Sequence, residues 1–136
     1  MGRTILAVFA GLVTAMLVMI SMEFVATRLS PPPPGFAIES EADLARLVEM
    51  ASPTSKALVV LGWALASFLG AWVAGRLSRV HRQVAALAIG VLIVVGVIFN
   101  AANIPHPAWM VVLGVVLPVP LAYAAARLVA RRTAPG

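Results

Sequence analysis

The sequence predicts an all-α membrane protein, a bundle of four transmembrane helices with a short amphipathic helix in its first outer loop. Three observations carry this. Hydrophobic residues make up 62% of the 136 residues and charged residues 11%, against roughly 45–50% and about 25% in soluble domains. Four apolar runs, Thr4–Thr27, Lys56–Leu77, Val84–Asn103 and Ala108–Val129, approach or exceed the ~20 residues that cross a bilayer. The basic residues also fall unevenly on the connections, as they do in an inserted multi-pass chain. One transmembrane domain over residues 1–136 is expected, with residues 28–55 as its outer loop.

The first run opens with small residues. Ala7, Gly11 and Ala15 recur every four residues and share one helix face, which lets another backbone approach. Its apolar core, Thr4 to Met22, exceeds the roughly 7–15 residues of a signal peptide, and no small-x-small cleavage site follows near Ala26. A retained helix is therefore expected. Glu23 is its anomaly, the only acid or base between Arg3 and Arg28. A central acidic residue costs roughly 2.5–3.5 kcal/mol on insertion scales. Such a group turns toward the bundle, or snorkels to the nearby interface.

Ser30-Pro-Pro-Pro-Pro-Gly35 ends that helix, because proline supplies no N–H and fixes φ, and it continues as a stiff polyproline spacer. Ser40-Glu-Ala-Asp43 then reads as a capping box with Asp in place of the usual Glu or Gln. Leu44, Leu47, Val48 and Ala51 follow at helical spacing, opposite Asp43, Arg46 and Glu49. So short a helix is not stable alone in water. It is expected on the membrane surface or across the outer mouth of the bundle.

The second span carries two small-residue rows. Gly62, Ala66, Gly70 and Ala74 form one, and Ser67, Ala71 and Gly75 lie beside it. They serve a neighbouring helix or a second copy of the chain, and packing within the chain is the preferred reading. Trp63 and Trp72 lie away from the span centre, where interface aromatics are common. The third span ends with Asn100 and Asn103, one turn apart. A tight turn, Ile104-Pro-His-Pro107, precedes Trp109, which anchors the fourth span. Within that span, Pro118 and Pro120 remove the usual donors to the Gly114 and Val116 carbonyls, so a kink is expected.

The second and fourth spans also resemble each other. Leu61-Gly-Trp-Ala-Leu65 matches Leu113-Gly-Val-Val-Leu117, and Ala71-Trp-Val-Ala-Gly-Arg-Leu77 matches Ala122-Tyr-Ala-Ala-Ala-Arg-Leu128. Two hairpins related by an axis along the membrane normal would give this pattern.

Charge sets the expected orientation. Arg3, Arg76, Arg79, Arg82, Arg127, Arg131 and Arg132 fall on one side, seven of the ten basic residues. The positive-inside bias puts that side, with both termini, in the cytoplasm. The net charge of +5 is thus a matter of topology. No nucleic-acid partner is expected, since no basic and aromatic interleaving accompanies it. The absence of cysteine removes disulfides and thiolate metal sites.

That topology brings Glu23, Thr27, Asn100, Asn103 and His106 to one outer depth. Glu23, Asn100, Asn103 and His106 are the candidate ligand or ion residues. A carboxyl and an imidazole beside two amides suit a proton, a cation or a small polar head group. Solvated capping roles for the two Asn and for His106 are the plainer reading. Enzyme signatures are missing: no nucleophile stands beside a base and no glycine-rich phosphate loop occurs. No His, Cys or Asp cluster has metal spacing, and His81 and His106 fall on opposite membrane faces, so they share no haem. The chain is expected to be no enzyme, with no catalytic residue, cofactor or metal.

Glu23-(x)5-Leu29-x-Pro31-x-Pro33-x-x-Phe36, Leu61-Gly-Trp-Ala-Leu-Ala66 and Asn103-Ile-Pro-His-Pro-x-Trp109 together resemble a group of small four-span bacterial inner-membrane proteins. The resemblance covers nearly the whole chain and implies a fold and a compartment, but no activity. The expected function is a non-enzymatic accessory or small-ligand-binding membrane protein with a polar site at its outer face. A small proton- or cation-coupled transporter working through Glu23 is the first alternative. A structural subunit of a larger membrane complex is the second. The expected partners are the lipid bilayer and, through the small rows, a second copy or such a complex.

Overall fold

The structure, a computed structural model, describes residues 1–131. Arg132, counted above with the basic side, lies outside them. Six helices follow in order: α1 (Gly2–Leu29), α2 (Glu41–Met50), α3 (Pro53–Leu77), α4 (Arg82–Asn103), α5 (Ala108–Val116) and α6 (Pro118–Arg131). α5 and α6 form one span broken at Leu117, so four helical rods are long and apolar enough to cross a membrane. This is a four-helix transmembrane bundle. α1 has 28 residues, about 42 Å at 1.5 Å per residue. That exceeds the ~30 Å hydrocarbon layer, so the helix tilts or protrudes. Ile5, Leu6, Phe9, Leu17, Ile20 and Phe24 stay exposed along it and meet lipid.

α3 is the central rod. It packs against α1, α4 and α6, and its two small rows divide the work. The first row faces α1. A Cβ added at Gly70 would lie 2.7 Å from the Gly11 carbonyl oxygen and 3.0 Å from Ala15 Cβ, and one at Gly62 would lie 2.9 Å from Met22 Cβ. The fully buried residues of α1 are all small, Ala7, Gly11, Ala15 and Ala26, while Val8, Leu12, Val18 and Met19 pack against the core from beside them. Ala66 and Ala74, the other members of the row, are fully buried. The second row faces the other hairpin. Ser67 Oγ donates to the Pro118 carbonyl at 2.7 Å, and Gly75 lies against Arg82, Ala86 and Val129. Lipid gives apolar faces no reason to leave it, so close backbone approach is what holds such helices together.

The second hairpin uses the same device. A Cβ on Gly90 would come 2.8 Å from Ala122 Cβ and 3.1 Å from the Pro118 carbonyl oxygen. Pro118 itself is fully buried at the start of α6. Leu117, between α5 and α6, keeps helical angles (φ −76, ψ −38), and its N–H bonds Leu113. The helix is thus interrupted at Leu117 while the backbone stays in the helical region, and Ser67 of α3 donates to the Pro118 carbonyl beside the interruption.

Trp63 is not turned outward but is 5% exposed within the core, a burial that its position along the span did not indicate. A Cβ at Gly114 would sit 2.7 Å from its ring, so glycine on α5 makes the seat that the indole fills. Its other neighbour is His106, with ring centroids 6.1 Å apart. Trp72 is half-buried, with the Arg76 guanidinium 4.8 Å from its ring centroid.

Candidate ligand-binding site

At the bundle end carrying residues 28–55, α1 and α3 are stitched together by serines. Ser55, buried at the start of α3, donates to the Ala26 carbonyl of α1 at 3.0 Å. Ser52 caps α3 by accepting from the Ser55 N–H at 3.1 Å, and its own N–H donates to Ser30 Oγ at 3.2 Å. Both ends of the long loop are thus pinned at neighbouring points. In between, Gly35 takes φ +80, a left-handed conformation that glycine adopts without a Cβ penalty, and turns the chain back after the prolines.

The loop delivers α2. Ser40 accepts from the Asp43 N–H at 3.3 Å and donates to Asp43 Oδ2 at 2.8 Å, while the Glu39 N–H reaches the same oxygen at 3.2 Å. The capping box forms with Asp because the shorter acid bonds the Ser40 hydroxyl and the preceding amide. Those bonds, the Ser40 hydroxyl first, hold the Asp43 carboxyl below its ordinary range. At the other end of α2, Lys56 Nζ donates to the Glu49 carbonyl at 3.2 Å, a cation at a helix C-terminus.

Beneath α2 lies a cavity of about 430 Å³, within the ~300–1,000 Å³ of ordinary ligand pockets. Leu44, Leu47, Val48 and Ala51 form its roof. α2 buries no residue and packs closely on none of the spanning helices. Its apolar stripe looks into the cavity. Glu23 and Thr27 of α1 contribute to the wall, as do Asn100 of α4 and Ile104 just after it, with Val59 of α3 and Met110 of α5 among the apolar lining. Deeper toward the termini the same helices close up, where Gly11 and Gly70 both meet Ile89 of α4. The cavity is therefore a cleft open at one end of the bundle.

Of the four ligand candidates, three line this cleft: Glu23, Asn100 and His106. Asn103 does not. It is exposed, and its amide donates to the Phe99 carbonyl at 2.7 Å, one turn back on α4. Asn100 and Asn103 are three residues apart, about 60° from each other around the helix axis, and the bond to Phe99 engages the second amide away from the cavity. Among the described residues the Glu23 carboxylate has no hydrogen bond and no ion pair. His106 Nδ1 lies 2.7 Å from the Ile104 carbonyl. A carbonyl only accepts, so Nδ1 carries the proton and Nε2 of the neutral ring is an acceptor.

Lys56 is the site residue that the sequence reading passed over. It lines the same cleft but was read as the start of a span, on the far side of a loop from Glu23. The signal available was its position one turn after Ser52-Pro53, a helix start that returns the chain to the level where α1 ends. Ser30 and Ser55 join the lining for the same reason. No group of three or more His, Asp or Glu among the described residues could hold a metal ion.

The fold and the cleft define a class, a multi-pass helical membrane protein with a small cavity at one end. Comparison with protein families, curated proteins and solved structures yields no match.

Proposed function

We propose that this chain is a non-enzymatic protein of the bacterial inner membrane that holds a small ligand in the cleft at its outer face. The observation that carries this is α2, an amphipathic helix whose apolar stripe roofs a cavity instead of packing on the bundle. An apolar stripe facing water gains nothing, whereas against an apolar occupant it gains burial. Transport through Glu23 finds less support, because the Gly11, Gly70 and Ile89 contacts close the path toward the termini. A subunit role finds less as well, since both small rows of α3 are used inside the chain.

The test is native mass spectrometry of protein extracted from its own membranes in mild detergent. The wild type should carry a small molecule that survives purification. Val48→Trp, which fills the cleft from the roof, should lose it, while Val95→Trp on the exposed face of α4 should retain it. Equal occupancy in the two variants would remove the cleft from consideration.

Orientation rests on the arginines. Arg3, Arg76, Arg79, Arg82, Arg127 and Arg131 share the termini end, and the positive-inside bias supports a cytoplasmic assignment for that end with the cleft outside. Reporter fusions after Arg131 and within the 35–39 segment should report opposite sides, cytoplasmic for the first. A cytoplasmic signal from the loop fusion would invert the assignment.

A further inference from the structure

From the two charges in the cleft we infer that its occupant is zwitterionic: a bilayer lipid whose head group carries a primary ammonium and a phosphate. This rests on the ligand-binding reading above. Glu23 and Lys56 line one apolar cavity of about 430 Å³, yet they form no ion pair with each other. An acid and a base facing the same cleft attract each other unless other contacts or an occupant engage them. Glu23 is carried by α1, and Lys56 is tethered to the Glu49 carbonyl at the end of α2. An occupant with both signs of charge satisfies the two groups at once, whereas a singly charged one would leave the other charge desolvated and alone.

The neighbouring polar groups fit the same polarity. His106 offers Nε2 as an acceptor, since its Nδ1 proton is directed at the Ile104 carbonyl. Asn100 adds a side-chain amide to the lining, whose oxygen is an acceptor. Together with the Glu23 carboxylate these are acceptors for an ammonium with N–H donors. Lys56 has three donors and spends one on Glu49, which leaves two for phosphate oxygens. The hydroxyls of Thr27, Ser30 and Ser55 add to the polar lining, and the rest is apolar, with Leu44, Leu47 and Val48 overhead. The cleft lies between α1 and α4 at the level of a bilayer interface, and Glu23 is itself exposed. A lipid can enter sideways with its acyl chains still in the membrane, and α2 folds over the part that enters.

The experiment measures lipid binding by native mass spectrometry, with the full chain delipidated in detergent and titrated with dioleoyl lipids of different head group. Phosphatidylethanolamine should bind about tenfold more tightly than phosphatidylglycerol, which lacks the ammonium, and than phosphatidylcholine, whose nitrogen has no N–H. Glu23→Gln and Lys56→Met should each weaken phosphatidylethanolamine about tenfold, the scale of one lost charged hydrogen bond, and Glu23→Gln should abolish the preference over phosphatidylglycerol. Free phosphoethanolamine separates the sources. Weak binding of it supports a lipid, whereas an affinity equal to that of the intact lipid would overturn the lipid assignment in favour of a soluble zwitterion. Equal binding of all three lipids, unchanged in Glu23→Gln and Lys56→Met but lost in Val48→Trp, would overturn the head-group inference and leave the cleft as a binding site. Lipid binding untouched by Val48→Trp would overturn both.

Discussion

Gly70→Leu should cost the bundle on the order of 3 kcal/mol, the upper end of what overpacking a tight contact costs. The position has no room even for a methyl group. A Cβ there would stand 2.7 Å from a backbone oxygen of α1, 3.0 Å from Ala15 Cβ and 3.1 Å from Ile89 Cγ2. Side chains can rotate away from such a clash, but the Gly11 carbonyl can move only with its helix. Leucine should therefore push α1 off α3 along the seam that runs to Gly62. Gly96→Leu supplies the matched control. It makes the same substitution in a helix interior, but a Cβ there would meet nothing within 4 Å, and the better helix propensity of leucine should leave it neutral or slightly stabilised. Thermal unfolding in detergent should separate the two variants clearly. If both unfold at the same temperature, the α1–α3 seam contributes no specific packing.

Trp63→Ala should lower stability by about 3 kcal/mol, near the low end for removing a large buried aromatic. The low end applies because lipid is as apolar as the interior, so the hydrophobic transfer part of the usual loss is absent. What remains is the empty volume and the lost contacts. The indole is 5% exposed, and it fills a seat over Gly114 and Val97 that little else can reach. The same change should also disturb the cleft, because Trp63 borders His106 and His106 lines it. Trp63→Phe should recover most of the stability. A Trp63→Ala variant with wild-type stability would mean that the seat over Gly114 collapses without cost.

The architecture was legible because each element is specified locally. The apolar runs match helices whose ends move by only a few residues, from Thr4–Thr27 to Gly2–Leu29 and from Lys56–Leu77 to Pro53–Leu77. These extensions lie in polar flanks, where helix continues past the hydrocarbon layer and hydropathy carries no signal. The α2 start was readable at Ser40 and Asp43, because a capping box is a contact between residues three apart. The burial of Trp63 was not legible for the opposite reason. Distance from the span centre describes depth, whereas burial depends on which helix stands beside it, and nothing local announces that Gly114 does.

By itself the sequence determined what the bilayer demands of it: four apolar rods, small-residue rows for close approach, prolines where the last rod is interrupted, and a single carboxylate inside the first rod. Those properties follow from composition and spacing, since the solvent acts on every residue independently. Only the tertiary structure decided the pairing and the site. It turned one row of α3 toward α1 and the other toward α6, took Asn103 off the wall that Asn100 joins, and brought Lys56 to the cavity of Glu23. Residues 23 and 56 are separated by a proline spacer and a surface helix. Their meeting depends on where Ser30, Ser52 and Ser55 pin the loop ends, and contacts that distant along the chain leave no periodic trace in it.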